Sequence, residues 1–177
     1  MSNQIQLRIV TPEGVQLQTE VSEFTAPSVQ GEFGVLPSHR PLLAGLKTGI
    51  VRYQQDGQEV SVAVGPGFVK VQDNEAELLT DHFQEKDDVD PVLVRDALKQ
   101  AEAELDKLSS DSPEEQKERV IADARWAAVQ LELYGDPPPA TIILEHEMKL
   151  LGHENYAETL KETGASEIAE EESDSDA

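Results

Sequence analysis

Over residues 1–82 apolar and polar positions alternate. Ile5, Leu7 and Ile9 are interleaved with Gln6 and Arg8, the period of two that sends successive side chains to opposite faces of a strand. Thr11-Pro-Glu-Gly14 supplies a turn before Val15 and Leu17. Asp56-Gly57 is a hairpin signal between Ile50-Val-Arg-Tyr53 and Val60-Ser-Val-Ala-Val64. Gly65-Pro-Gly67 breaks that strand, Phe68, Val69 and Val71 resume one, and Asp73-Asn74 turns the chain into Ala76, Leu78 and Leu79. Short strands with turns roughly eight to twelve residues apart predict an antiparallel sandwich or barrel. This β domain is assigned to residues 1–88.

The period changes after Asp87-Asp88. Asp90 is placed to cap a helix with Pro91 at its first position. Val94, Ala97, Leu98, Ala101, Leu105 and Leu108 follow helical spacing and form one apolar stripe. Ser109-Ser-Asp-Ser112 ends that helix, and Ser112-Pro113-Glu-Glu115 predicts a second start with a capping box. Val120, Ala124, Ala127, Leu131 and Tyr134 form its stripe, widened by Ile121 and Ala128. So short a link makes the two helices antiparallel, a hairpin over residues 89–135. Many stripe positions are alanine, which buries little area, so this hairpin is expected to be a marginally stable, mobile arm.

Gly135-Asp-Pro-Pro-Pro139 stops the second helix, and residues 141–151 (TIILEHEMKLL) fit one further short helix. From Gly152 onward the chain is polar and acidic, a composition that predicts disorder. The whole reads as α+β: an N-terminal antiparallel β-sandwich, a C-terminal helical hairpin, and an acidic tail over 136–177.

Charge narrows the partners. The 36 acidic and 14 basic residues give a net charge of −22. Residues 136–177 hold 12 acids and 2 bases, hence −10, nearly half of the imbalance. Sustained binding to nucleic acid is excluded, because phosphate contacts need clustered Lys and Arg. With no cysteine there is no disulfide, thiolate catalysis or cysteine-ligated zinc. No apolar run approaches the roughly 20 residues needed to cross a bilayer, and no secretory signal opens the sequence. A soluble intracellular protein is expected.

Three kinds of chemistry can be weighed on motifs. Ser38 and His39 are adjacent, so on an extended chain they point to opposite faces, and no Gly-x-Ser-x-Gly is present. A turn serine and a surface imidazole are the better reading. His39, His82, His146 and His153 show no His-x-x-x-His spacing. His146 and His153, among Glu145, Glu147 and Glu154, read as part of a solvated acidic face. The glycines of 31–34 and 65–67 sit among strands, and no Walker-type phosphate loop occurs. The expectation is a protein without catalytic residues, metal or cofactor.

The order of the parts then matters. LRIVTPEG at the start, GEFGVLPSHRPLLAGLKTGIVRY in the centre and VAVGPGFVKVQDNEAELLTDHFQ before the hairpin resemble the epsilon subunit of F-type ATP synthases. The central block is the most specific, since its glycines, proline and apolar residues agree at fixed spacing. The resemblance implies a ten-stranded sandwich with a helical arm, acting as a non-catalytic rotor-stalk subunit. It would grip the gamma subunit and rest on the c-ring, coupling proton- or sodium-driven rotation to the catalytic head.

By that resemblance Glu32, His39, Arg40 and Pro41 form a loop facing the c-ring. Arg95, Lys117, Arg119 and Arg125 are the basic residues with which the arm would meet the alpha and beta subunits and suppress ATP hydrolysis. Localisation would be peripheral, at the cytoplasmic face of a bacterial plasma membrane, with the plastid thylakoid as the alternative. An alternative function is a regulatory module whose hairpin closes on ATP. Members that do so carry Asp-x-x-Arg-Ala entering the first helix, whereas here Leu93 stands three residues after Asp90.

Overall fold

The computed structural model describes residues 4–109 and 111–139; the helix expected over 141–151 and the acidic stretch after it lie outside the described residues. Ten strands come first: β1 (Ile5–Thr11), β2 (Gly14–Val21), β3 (Glu23–Ser28), β4 (Gly31–Val35), β5 (Leu42–Leu46), β6 (Gly49–Gln55), β7 (Gln58–Val64), β8 (Gly67–Gln72), β9 (Glu75–Thr80) and β10 (Phe83–Glu85). A three-residue turn, Lys86–Asp88, leads into α1 (Pro91–Leu105) and α2 (Glu114–Tyr134).

The strands make one sheet in the order β10-β7-β6-β3-β5-β8-β9-β1-β2, with β4 attached to β3. β3 meets β5 at a single pair, Ser28 opposite Leu46. The sheet turns at this corner, so that β2 reaches β6 across one shared core. Alternation behaves as expected on β1, where Ile5, Leu7 and Ile9 are buried and Gln6 and Arg8 are exposed. The pairings are antiparallel apart from one, β1 with β9, which run parallel. A parallel neighbour must be reached by a long crossover, so no local turn signal announces it.

The strand directions put the connections at two ends. One end carries the turns after β1, β3, β5, β7 and β9; the other carries Ser22, residues 36–41, Asp56-Gly57 and Asp73-Asn74. Asp56 and Gly57 both have positive φ (52° and 77°), the type I′ geometry that matches strand twist. Gly67 is needed for a different reason. A Cβ there would lie 1.9 Å from the Leu79 carbonyl oxygen.

The arm is an antiparallel hairpin with its own cluster: Val94, Leu98, Ala101 and Leu105 from α1 against Val120, Ala124, Ala127 and Leu131 from α2. Ile50 of β6 and Ala63 of β7 join it, so α2 lies on the outer surface of the β6–β7 hairpin. Asp90 caps α1 as expected, accepting from the amides of Val92 and Leu93 at 3.0 and 3.2 Å. The capping box of α2 does not form. Pro113 is the cap residue, without a side-chain cap, and the Ser112 hydroxyl instead accepts from the Ser109 amide at 3.0 Å. Two stripe positions also differ: Ala97 is exposed, and Leu133 is buried in place of Tyr134.

Gly67→Ala is expected to lower stability by about 1–3 kcal/mol or more, since the overpacked atom is backbone. Gly57→Ala meets no atom within 4 Å, so only its conformational strain of about 1–2 kcal/mol is added. Urea midpoints of the two variants should fall in that order.

Burial first, and Glu85 second, raise the Tyr53 phenol above its ordinary value of 10.0. The neutral phenol is the form the fold favours, so its stabilisation is complete below about pH 10 and lost as pH rises through the folded-state value. Unfolding followed against alkaline pH should show a shallower decline for Tyr53→Phe than for the parent chain.

Candidate interaction surfaces

Residues 36–41 link β4 to β5 and are held by backbone chemistry. Ser38 has a φ of 67° and donates its amide to the Asn74 side chain at 2.6 Å. The His39 amide donates to the Leu36 carbonyl at 3.1 Å, and its ring lies 2.7 Å from the Arg40 carbonyl, which accepts from Nδ1. Within the described residues no hydrogen bond joins the Ser38 hydroxyl to that ring. The serine and histidine are therefore turn-formers, not an assembled nucleophile and base. Arg40 and Pro41 are exposed, and His39 is half-buried.

Glu32 does not belong to that loop. It stands on β4 opposite Pro27, next to the β3–β4 turn, and loop 36–41 leaves the other end of the same strand. The reason is register: pairing of Val35 with Phe24 carries β4 past Glu32 before the loop begins. Glu32 and His39 thus flank one edge of the sandwich, the open side of β4, and are not side by side. The Glu32 carboxylate accepts from Arg52 at 3.2 Å, and the same guanidinium lies 3.9 Å from Glu132 on α2.

The four basic residues expected to act together from the arm are dispersed. Arg95, near the start of α1, makes two bonds of 3.0 and 2.6 Å to Asp136, just past the end of α2. The Lys117 side chain is largely buried and pairs with Glu114 at 2.8 Å, while Arg119 lies 3.7 Å from Glu104. Arg125 lines a cleft of about 530 Å3 between α2 and the sandwich. Arg95 sits at the opposite end of the hairpin from Lys117 and Arg119, with Arg125 midway along α2.

The arm meets the sandwich through few polar contacts. Trp126 of α2 stacks on His82, with ring centroids 5.1 Å apart and planes 29° apart, and Glu132 faces Arg52.

A further surface was within reach of the alternation rule but was not singled out by it. On β8 the inward positions are Val69 and Val71, so Phe68 must point outward, and it is 62% exposed. Leu43, Leu79 and Val29 are likewise exposed. Phe68 pairs with Leu79 and Gly45, and Val29 covers Gly45, whose added Cβ would meet it at 3.5 Å. Together they border a shallow apolar depression of about 660 Å3 at the end that carries Pro66. Surfaces of this kind mark interfaces more often than solvent-facing sheet.

Among the described residues no cluster of three or more His, Asp or Glu is arranged to hold a metal ion, and no helix is long and apolar enough to cross a membrane. His146 and His153 lie outside the described residues.

Comparison with known proteins bears on these surfaces. Residues 4–86 match the family model for the ATP synthase Delta/Epsilon chain, beta-sandwich domain. The ATP synthase epsilon chain of Trichlorobacter lovleyi is 37% identical over 136 residues, 76% of this chain and 96% of that one. The epsilon chain of Geobacter sulfurreducens is 36% identical over the same coverage. Among solved structures, a chain of the Euglena gracilis mitochondrial ATP synthase superposes with a TM-score of 0.54 at 24% identity, covering 77% of this chain and 80% of that one. A chain of the Tetrahymena thermophila mitochondrial ATP synthase central stalk and c-ring gives 0.50 at 15% identity, with 73% and 96% covered. At these identities the two structures speak to the fold.

Amide exchange should separate the two cores. The buried stripe positions include Ala101, Ala124 and Ala127, so residues 91–134 are expected to exchange about tenfold faster or more than β1, β8 and β9. Emission of Trp126, the one tryptophan, should shift to longer wavelength at lower urea than the loss of β-structure seen by circular dichroism.

Proposed function

Because the chain belongs to the ATP synthase epsilon-chain family, we propose that it is the non-catalytic central-stalk subunit of a proton- or sodium-translocating F-type ATP synthase, peripheral to the membrane through the complex. The observation that carries this reading is the exposed apolar face around Phe68, Leu79 and Val29 on a ten-stranded sandwich. A part that passes torque needs surfaces held at fixed separation, and a sheet folded over one packed core provides that without any reacting group.

The apolar face is the seat for the gamma subunit. The open edge of β4, with Glu32 near one end and His39, Arg40 and Pro41 near the other, is the side that faces the c-ring. It is polar and partly backbone, as suits a sliding or electrostatic contact more than a deeply packed one.

The arm lies against β6 and β7 in a position where Arg95, Lys117 and Arg119 face acids of the arm itself. In that position they are not offered to the catalytic head, so suppression of hydrolysis requires the arm to leave the sandwich. Nucleotide sensing is less well supported. Leu93 takes the place of the arginine that ATP-binding members carry, and the nearest base, Arg95, is occupied by Asp136.

Phe68→Glu is expected to weaken binding of the isolated chain to its gamma subunit by about tenfold or more, as for an aromatic at the centre of an interface. Calorimetry would measure this, with Gln58→Glu, exposed beside the Asp56-Gly57 turn at the other end of the sandwich, as the remote control. Equal binding by Phe68→Glu and the parent chain would remove the face from the proposal. Titration of the same chain with ATP is expected to give no saturable heat.

A further inference from the structure

Among the described residues four besides glycine have positive φ: Ser38 (67°), Asp56 (52°), Asp73 (53°) and Asn74 (62°). Asp56 and Asp73 each open a two-residue hairpin turn, Asp56-Gly57 between β6 and β7 and Asp73-Asn74 between β8 and β9. Both turns have left-handed residues at the two central positions, a geometry in which glycine is strongly favoured at the second. The first turn has that glycine, with a φ of 77°, and the second has asparagine. Asparagine tolerates the conformation, but the turn itself needs no side chain there.

What the Asn74 side chain does lies outside its own hairpin. Its carboxamide oxygen accepts the Ser38 amide at 2.6 Å, across a separation of 36 residues in sequence. The Asn74 carbonyl accepts the Gln6 amide at 2.8 Å. The β8–β9 turn is thus tied to β1 by its backbone and to loop 36–41 by its side chain. The loop's other hydrogen bonds, from the His39 amide to Leu36 and between the His39 ring and Arg40, are internal to it. Among the described residues, the Asn74 bond is therefore its tie to the rest of the sandwich. Ser38, which receives that tie, is itself left-handed. A residue with a side chain keeps such a conformation only where its surroundings hold it, and positions of this kind concentrate at functional sites.

We infer that Asn74 is a positioning residue for the contact with the c-ring: its side-chain oxygen holds the left-handed turn at Ser38 and so presents His39, Arg40 and Pro41 in one orientation. The inference rests on the reading of loop 36–41 as part of the c-ring side. It adds the residue, from a different hairpin, that keeps the loop ready. A loop already held in its bound form loses less freedom on docking, so removing the tie lowers affinity without removing any contacting group. Stability and binding then move apart. Glycine at position 74 suits the turn at least as well, yet it releases the loop.

The test uses the complex of the full chain with its gamma subunit, titrated with the detergent-solubilised c-ring. Asn74→Gly keeps the turn and deletes the acceptor, and Asn74→Asp keeps the acceptor. Arg40→Glu alters an exposed group of the loop itself. Exchange of the Ser38 amide, the urea midpoint and gamma affinity are measured for each chain.

For Asn74→Gly, exchange at Ser38 is expected to quicken about tenfold. Its c-ring affinity is expected to fall about three- to tenfold, the range spanned by one ordinary hydrogen bond. Its urea midpoint stays at or above that of the parent chain, and gamma affinity is unchanged. Asn74→Asp returns both Ser38 exchange and c-ring affinity to the parent level, and Arg40→Glu weakens c-ring binding. If Asn74→Gly leaves c-ring affinity unchanged while Arg40→Glu lowers it, the c-ring reading stands and Asn74 is only a turn residue, which overturns the inference. If neither variant lowers it, the loop does not meet the c-ring and both readings fall. A loss matched by a lower urea midpoint or weaker gamma binding, or one that Asn74→Asp does not repair, would show general loosening and overturn the inference as well.

Discussion

One interior has to accept alternate side chains from almost every strand, and this parity governs everything outside it. Inward positions of β1, β6, β8 and β9 are taken by Ile5, Leu7, Ile9, Val51, Tyr53, Val69, Val71, Ala76 and Leu78, all in one cluster. Their neighbours are forced outward. Where the outer face is solvated, those neighbours are polar, as with Gln6, Arg8, Lys70 and Glu77 on β1, β8 and β9. Toward the Pro66 end of the same strands they are Phe68 and Leu79. An antiparallel sheet wet on its outer side gains nothing from a phenylalanine there, and this change from polar to apolar along a single face is what the proposed partner contact rests on.

The same parity explains how the arm finds its place. On β6, Val51 and Tyr53 belong to the sandwich core, which leaves Ile50 and Arg52 on the outer side; on β7, Val62 and Val64 are inside and Ala63 outside. Ile50 and Ala63 are nevertheless buried, because α2 covers them. Consecutive apolar residues such as Ile50-Val51 and Val62-Ala63-Val64 signal a strand covered on both faces. That signal was in the chain all along, yet it was legible only as strand, since nothing local says which later element supplies the second cover.

Much of the architecture was open to direct reading for the same local reasons. The strand alternation, the Asp56-Gly57 turn, the Asp90-Pro91 helix start and the apolar stripes each depend on neighbours a few residues apart. The misses depend on distant ones. β1 beside β9 is set by a crossover of many strands, and Glu32 is removed from loop 36–41 by the β3–β4 register. Leu133 is buried in place of Tyr134 because it stands four residues after Val129 and seven after Trp126, on the face of α2 that packs into the same cluster. The Glu115 capping box lost to a competing use of Ser112 one turn earlier. Loop 36–41 was visible as a turn through Pro37 and Pro41. The apolar depression was not, because its walls come from residues 29, 46, 66, 68 and 79, brought together only by folding.

The placement of the arm's charges decides how it can move. Lys117 with Glu114, Arg119 with Glu104, and Arg95 with Asp136 are all pairs within the hairpin or its immediate exit. Among the described residues, the contacts that cross to the sandwich include Arg52 with Glu132, His82 with Trp126, the apolar cover over Ile50 and Ala63, and the packing of α2 on the Lys86–Asp88 turn. Exposed ion pairs of the Arg52 kind are worth about 0–1 kcal/mol each. Detachment therefore breaks the crossing contacts and leaves the internal ones untouched. In the proposed release the hairpin would move as a folded unit about the short segment from Lys86 to Asp90, where the Val89 amide donates to the Lys86 carbonyl at 3.3 Å. A hairpin that carried its salt bridges across to the sandwich would have to melt before it could leave. This one keeps them within itself, which favours a rigid-body route for the proposed release.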